Sequence, residues 1–502
     1  MTGLKQTSLP TPQKTQLAAG ALAGQGTYGT ISELAQQYGV SRPTVYSAGK
    51  TANAVLTRHF EEAETGERFV LVDERQLERA VGALRVESPN SIRAIETLLP
   101  ILYPGVTMSF GKIQSISVQM EKRAAEHNRQ VDLRGISAGA LDEMFSQGSP
   151  VLAGVDLDSG LLFSLALCES RGKDDWVEVL QAAQKQGLDL EKVVKDAAQG
   201  IAAGVTEVFP DAEQRDDCFH ALYKMGRIRI YLERRAYGAI SQLDDALAKL
   251  MKVTQTGRGD LEKCKRTLEK AQAYCAKTLT IHDDYEVATR EAMEAMTFIK
   301  LDTAHILTAK EMEEGIEAAA RKMIAIPHQH CITVGKYIRN RAAGLALYMT
   351  ELNENLKALA ECHGDNAVRL ACLIDRLSHD LKCQIRPWNR RRDKQHLLGA
   401  LAMLHVVAGK NIDTVLDDVN DVLQHRHRAS SAIEGFNAAL RPFLYVHKGV
   451  SSGFLELFQA HHNLKKRRWG RHKGTSAHEV LTGEKVGDWL SMLGYPPSTT
   501  VN

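Results

Sequence analysis

The stretch GISAGALDEMFSQGSPVLAGVDLDSGLLFSLALCES, residues 135–170, decides the fold. Its first apolar run, over about 137–142, ends on Asp142-Glu143. Two more runs, 151–157 and 161–168, flank Asp158-Ser159-Gly160, which has the composition of a hairpin turn. Residues 173–187 read as a helix, and LEKVVKD, 190–196, reads as a short buried strand ending on Asp196. A helix over about 197–208 follows, and EQRDDCFHAL, 213–222, reads as a strand that turns into helix. Three strands, a helix, a strand, a helix and a strand imply a mixed sheet covered by helices.

Outward from this core the pattern changes. Residues 1–26, rich in Thr, Gln, Pro, Ala and Gly, read as a flexible lead-in. TISELAQQYGVSRPTVYSAGK, 30–50, has helix-turn-helix spacing within a unit spanning 27–65. Leu34, Ala35, Tyr38, Val40 and Val45 are its inward positions. Gly39 sits at the tight turn, Ser41 can cap the second helix, and Pro43 is tolerated in its first turn. Arg42, Thr44, Tyr46 and Lys50 lie on the exposed face, where a helix in the major groove reaches guanine edges and phosphates. A second helical, DNA-binding unit is expected over 66–130, with a helix starting after Ser88-Pro-Asn, a break at Pro104-Gly105, and Lys112, Lys122 and Arg123 exposed on the next helix. The catalytic core is expected in two parts, 131–225 and 426–485, separated by an all-helical block over 226–425 and followed by a tail, 486–502. Apolar residues recur every three or four positions through that block, and only Pro327 and Pro387 interrupt it. Its breaks are expected at 256–259, 326–327, 363–365 and 386–394.

Three acids stand out. Asp142 and Asp196 each end an apolar strand, and Glu434 lies on a helix capped by Ser430 or Ser431. Converging carboxylates suit Mg²⁺, which takes a few hard oxygen ligands and keeps several waters. Two such ions about 4 Å apart activate an attacking water or 3′-hydroxyl and stabilise the leaving oxygen of a phosphodiester. Asp156 in GVDLDSG is the alternative first Asp, although it leaves only one clear strand before the helix at 173. Asp217 competes with Asp196 for second place, and Asp158 reads as a turn cap. Asn437 and Arg441 share a polar stripe with Glu434. The basic segments RPWNRRRDK, 386–394, and LKKRRWGRHK, 464–473, combine cations with a Trp, which suits phosphates and exposed bases. His328, His330 and Cys331, with Cys362-His363 later, lack the paired spacing of a zinc site.

Asp142 in LDEMF, Asp196 in VVKDAAQG, DDCFHAL and SSAIEGFNAALRPF together resemble a DDE transposase of bacterial insertion-sequence type. Asp217-Cys218-Phe219-His220 is similar to the C/D-x-x-H signature of Mutator-like and hAT-like transposases. The resemblance covers roughly 130–225 and 426–485 and the N-terminal helix-turn-helix; NLKKRRWGRHKGTSAHEVLTG also resembles the tail of such enzymes. It implies a multidomain, mainly α chain with an α/β RNase H-like catalytic core, N-terminal helix-turn-helix units and a long all-α insertion within the core. Three strands and a helix before the second Asp match Asp142 as the first. The implied activity is Mg²⁺-dependent (or Mn²⁺-dependent) cleavage and joining of DNA strands. Asp142, Asp196 and Glu434 would be both the catalytic residues and the ligands of two metal ions. His220 would orient the site or contact the DNA flank, with Asp217, Asn437 and Arg441 as accessories. Lys465, Lys466, Arg467, Arg468 and Arg471 would bind DNA. Implied partners are double-stranded DNA, at element ends and targets, and further copies of the chain. The rival readings are a DNA-binding regulator that has lost cleavage, and an RNase H-like nuclease that cuts without joining.

Composition sets the outer bounds. At 502 residues the chain has room for three to five domains. With 44% hydrophobic and 25% charged residues it is neither disordered nor fibrous. The net charge of +2 leaves nucleic-acid binding to local patches. No run reaches the roughly 18 apolar residues of a membrane helix, and the polar N-terminus lacks a signal-peptide core, so no membrane partner is expected. Eight scattered Cys, none in a C-x-x-C pair, suit a reducing cytoplasm, with association to the nucleoid expected of a DNA-acting protein. No P-loop is present.

Overall fold

The structure is a computed structural model that describes residues 9–65, 72–384, 387–446 and 449–497. The chain divides into two compact units, residues 1–77 with 497–502, and residues 78–496.

The first unit holds α1 (Thr11–Ala23), α2 (Thr30–Gln37) and α3 (Arg42–Thr65). Leu17, Ala21 and Val45 are its buried centre, with Leu34, Ala35, Tyr38 and Val40 packed around them. The lead-in expected to be flexible is therefore helical from Thr11, because Leu17 and Ala21 give it an inward face. Gly39 takes a left-handed φ of 63° in the α2–α3 turn, where a Cβ would be strained. Ser41 Oγ accepts from the Thr44 backbone N–H at 3.3 Å and caps α3.

The second unit is entered through α4 (Glu74–Val86), followed by α5 (Ile92–Leu102) and α6 (Phe110–Gln130). The sheet and its helices come next: β1 (Ala138–Ser146), β2 (Ser149–Asp156), β3 (Leu162–Leu167), α7 (Lys173–Gln184), β4 (Lys192–Lys195), α8 (Gln199–Val208) and β5 (Glu213–Asp216). The strand order is β3-β2-β1-β4-β5. β1, β2 and β3 pair antiparallel, while β4 and β5 run parallel to β1. β1 does not stop at Asp142 as expected; it continues to Ser146, and Asp142 sits mid-strand opposite Ala153. Gln147 and Gly148, both with positive φ, turn it directly into β2.

Each sheet face buries its own core. Ala140, Met144, Val151, Val155 and Leu162 pack against α4, α5, α6 and the C-terminal helices α18 and α19 introduced below. Leu141, Leu152, Phe163 and Val193 pack against α7 and α8 around Trp176. The segment expected as a second DNA-binding unit is thus built into the sheet's core through Ile95, Leu99, Ile113 and Met120. Its Arg123 is held at home, donating to the Gly494 carbonyl at 3.0 Å and lying over the Tyr495 ring.

The helical block follows as α9 (Cys218–Thr256), α10 (Leu261–Ala295), α11 (Ala309–Ala325), α12 (Gln329–Arg339), α13 (Ala342–Ala346), α14 (Tyr348–His363), α15 (Asp365–Cys383), α16 (Pro387–Ala408) and α17 (Ile412–Gln424). It has a separate core centred on Tyr285, Met312, Ile316, Cys331 and Met349. The expected breaks at 256–259, 326–327 and 363–365 are present, and another opens at 296–308, where Ile299 and Ile306 form an isolated bridge. The chain then returns to the sheet through α18 (Ser431–Val446) and α19 (Ser452–Leu464), and ends with the short helices α20 (Ala477–Thr482) and α21 (Trp489–Met492). No helix among the described residues is long and apolar enough to cross a membrane.

Candidate active site

Sheet register brings the acids together. β1 and β4 pair in parallel up to Leu141 and Lys195, so the next residue on each strand, Asp142 and Asp196, emerges side by side. β4 and β5 pair up to Lys195 and Asp216, which puts Asp217 next in the same row. Side-chain ligand atoms of Asp142, Asp196 and His220 all lie within 4.8 Å of one another.

Asp142 is 8% exposed, with Oδ1 accepting from the Glu143 backbone N–H at 2.8 Å and Oδ2 from Asn437 Nδ2 at 2.6 Å. Burial pushes its pKa up to about 6, and the charge of Glu434 adds to the rise. Asp196 Oδ1 accepts from the Ala198 backbone N–H at 2.6 Å. Asn437, on α18, is fully buried, and its Oδ1 has no partner among the described residues. A lone buried acceptor is costly unless a ligand or water meets it.

Asp217 caps α9, and its Oδ2 accepts from His220 Nδ1 at 2.6 Å and from Ser430 Oγ. Its Oδ1 accepts from the backbone N–H groups of Phe219 at 2.8 Å and Ser430 at 3.2 Å. Burial alone would raise the Asp217 pKa, but these donors outweigh it and hold the carboxyl below its ordinary value. The bond to Asp217 raises the His220 pKa against the opposing effect of burial, and Asp142 and Asp196 add to the rise. Through Ser430, the same aspartate fixes the entry to α18, the helix that carries Glu434. Glu434 Oε1 is 3.9 Å from His220 Nε2, and its Oε2 is 3.8 Å from Arg441. Glu434 borders the three-residue cluster without belonging to it.

Asp156 is not brought to this cluster. Its carboxylate accepts from the Ser159 backbone N–H at 2.8 Å and from Ser159 Oγ, so it closes the β2–β3 turn. Asp158, expected to cap that turn, instead meets His427 Nε2 at 3.0 Å through Oδ1.

The surface candidates divide. On α3, Arg42, Tyr46 and Lys50 are exposed, whereas Thr44 Oγ1 hydrogen-bonds Ser41 Oγ at 2.8 Å. In the basic tail, Lys465 pairs with Glu87, Lys466 lies 3.7 Å from Glu479, Arg467 donates to the Ser159 carbonyl, and Arg471 meets His425 at 2.9 Å. Arg468 and Trp469 remain exposed. Arg386 lies outside the described residues; Arg390, Arg391 and Arg392 are exposed on α16. His328 and His330 lie ring against ring near Tyr231, while Cys331 points into the block's core.

Sequence reasoning missed four residues at the site's edge. Glu351 on α14 binds Lys192 of β4 and, at 2.7 Å, Arg215 of β5. Lys224, Tyr337 and Arg341 gather beside Asp196 and Asp216. Lys224 had a local signal, since it follows His220 by four on one helix. The other three come from distant segments.

No family model matches the sequence, and no curated protein matches it. Among solved structures, it is similar to a chain of the Drosophila P element transposase strand transfer complex, with 10% identity, a TM-score of 0.30, and coverage of 76% of this chain and 100% of that one. The chemistry of the site is therefore read from its own residues.

Proposed function

We propose that the chain is a DNA transposase that cuts and joins DNA strands at the Asp142–Asp196–His220 cluster and the adjoining Glu434 of an RNase H-like core. The cluster itself carries this reading: a carboxylate within β1, another just after β4 and an imidazole converge within 4.8 Å, and a third carboxylate stands one step away. The donor set suits Mg²⁺ or Mn²⁺, being carboxylate oxygens with one imidazole and the unpartnered Asn437 Oδ1. Asp142, Asp196 and Glu434 would hold two ions, which when bound supply Lewis-acid activation of a water or 3′-hydroxyl and of the scissile phosphate.

The chain's own residues do the rest. Asn437 fixes the rotamer of Asp142. Asp217 holds His220 by Nδ1, so Nε2 faces the cluster, where it can donate to a phosphate oxygen or move a proton. Ser430 ties the Glu434 helix to the same aspartate. Double-stranded DNA would be gripped by α3 through Arg42, Tyr46 and Lys50, and by Arg468 beside the core. Joining two element ends calls for more than one copy of the chain.

The test is a transposition assay in cells. A marker is flanked by the DNA that borders this gene, and the protein is supplied separately. Wild type should mobilise the marker; Asp142→Asn, Asp196→Asn and Glu434→Gln should not, while Asp156→Asn should retain activity. Binding of the flanking DNA without mobilisation would favour a regulator. Cut ends without joined products would favour a nuclease.

A further inference from the structure

α9 carries more than the D-x-x-H motif toward the site. Lys224 lies one turn beyond His220 on the same helix face. Its Nζ stands 3.9 Å from the centre of the Tyr337 ring, on α12. Arg341, just after α12, places its guanidinium 4.3 Å from the same ring. Arg341 Nε is 3.9 Å from Asp216 Oδ1, and its NH1 donates to the Tyr337 carbonyl at 3.5 Å. Close packing keeps this corner in place. Gly344 of α13 abuts the end of β5, and a Cβ there would lie 2.2 Å from Asp216 Oδ2.

The two cations are unequally satisfied, since Arg341 has the Asp216 carboxylate. Lys224 is half-buried, and among the described residues no carboxylate forms an ion pair with it. Burial pushes its pKa down; the charge of Asp196 opposes this, and that of Arg341 adds to it. Attraction to the face of the Tyr337 ring offsets part of this. Two like charges therefore share one ring beside Asp196. A shared anion removes that repulsion. Next to a metal-type carboxylate cluster, the matching anion is a phosphate of the strand being cut.

We propose that Lys224, Tyr337 and Arg341 form a cradle for a backbone phosphodiester of the bound DNA strand, contributed jointly by α9 and the helical block. It rests on the strand-cleavage reading above and adds the residues that position the strand.

The experiment uses the full chain as wild type, Lys224→Gln, Arg341→Gln and Lys224→Arg. Each is titrated with a short duplex from the gene's border over a range of salt, and each is tested for a Mn²⁺-induced rise in melting temperature. Loss of one phosphate contact should lower the slope of log K against log salt by about 0.9 and weaken binding several-fold at low salt. Lys224→Arg should restore the slope, and all four proteins should keep the Mn²⁺ response. Wild-type slopes in both Gln variants would overturn the cradle while leaving the cleavage reading intact. A wild type without a Mn²⁺ response would sink the cleavage reading, and the slopes would still decide whether these side chains touch phosphate. A variant with a lowered melting temperature is replaced by Lys224→Met or Arg341→Met, judged by the same slope.

Discussion

Replacing Asp142 by Asn should stabilise the ion-free protein at neutral pH. Raising a carboxyl from 3.8 to about 6 means that ionising it inside the fold costs about 3 kcal/mol. The folded chain holds this proton more tightly than the unfolded one. Wild-type stability is therefore fullest below pH 4, falls as pH rises from about 4 to 6, and stays reduced above that. An amide is never ionised, so the variant avoids that loss. It loses something else: the carboxylate accepts from Glu143 N–H and from Asn437 Nδ2 on separate oxygens, and an amide has only one. One bond lost costs about 1 kcal/mol. The balance is a gain of about 2 kcal/mol above pH 6, or a rise in melting temperature on the order of 3 °C. The two stability curves should cross at about pH 4.5. Thermal unfolding in chelator from pH 4 to pH 8 measures this directly. With Mn²⁺ at about a hundred times its Kd, the wild type should gain about 2.7 kcal/mol and the variant nothing. An Asn variant that is less stable at every pH, or more stable by a pH-independent amount, would refute the assignment of Asp142 as a buried, ionisation-penalised ligand.

Other outcomes follow from the same geometry. Asp156→Ala should cost about 2 kcal/mol by freeing the Ser159 donors, yet leave the Mn²⁺ response unchanged; denaturant unfolding with and without the ion separates the two. Asp217→Asn should bring the raised His220 titration back down, visible in the ring-proton NMR shifts of labelled histidine. Glu351→Ala should destabilise by about 2–3 kcal/mol in denaturant unfolding, because Arg215, whose side chain is 2% exposed, keeps Glu213 alone as a carboxylate partner among the described residues.

The sheet was legible because most of its strands hold apolar runs bounded by acids or turn residues, and their order survives in the structure. The second half of β1 was not legible. Its Asp142 and Glu143 break the run, and Gln147-Gly148 is a weaker hairpin signal than Asp158-Ser159-Gly160. Glu143 belongs in the strand because Arg171 and the Trp176 indole reach it at 3.1 and 3.4 Å. The choice between Asp156 and Asp142 was decidable only by strand order, since both follow apolar residues. Ser430 shows a different limit. Its bonds to Asp217 span 213 positions, and nothing in either local pattern announces them. The partners of the basic tail were hidden for the same reason: those of Lys465 and Arg467, Glu87 and Ser159, lie more than 300 residues away.

The helical block is part of the site rather than an appendage to it. α9 runs unbroken for 39 residues, about 58 Å, so the helix whose first turn holds His220 is also the first helix of the block. The Cys218 backbone N–H donates to the Arg428 carbonyl at 3.2 Å, and Cys218 Sγ lies 3.7 Å from the Leu345 carbonyl. The entry and exit strands of the block are thereby pinned together at the start of α9. Glu351 clamps β4 and β5, and Gly344 lets α13 close on Asp216. Any shift of α12–α14 must therefore move Asp216, Arg215 or the start of α18, and with them the spacing of the carboxylates. Packed interfaces of this kind move between discrete arrangements instead of deforming smoothly. Strand binding at the Lys224–Arg341 corner and ion binding at Asp142 and Asp196 should accordingly be coupled. The coupling is reciprocal: DNA should tighten Mn²⁺ binding by the same factor by which Mn²⁺ tightens DNA binding. A factor of one, with Mn²⁺ affinity the same with and without DNA, would show that the block and the carboxylates respond independently.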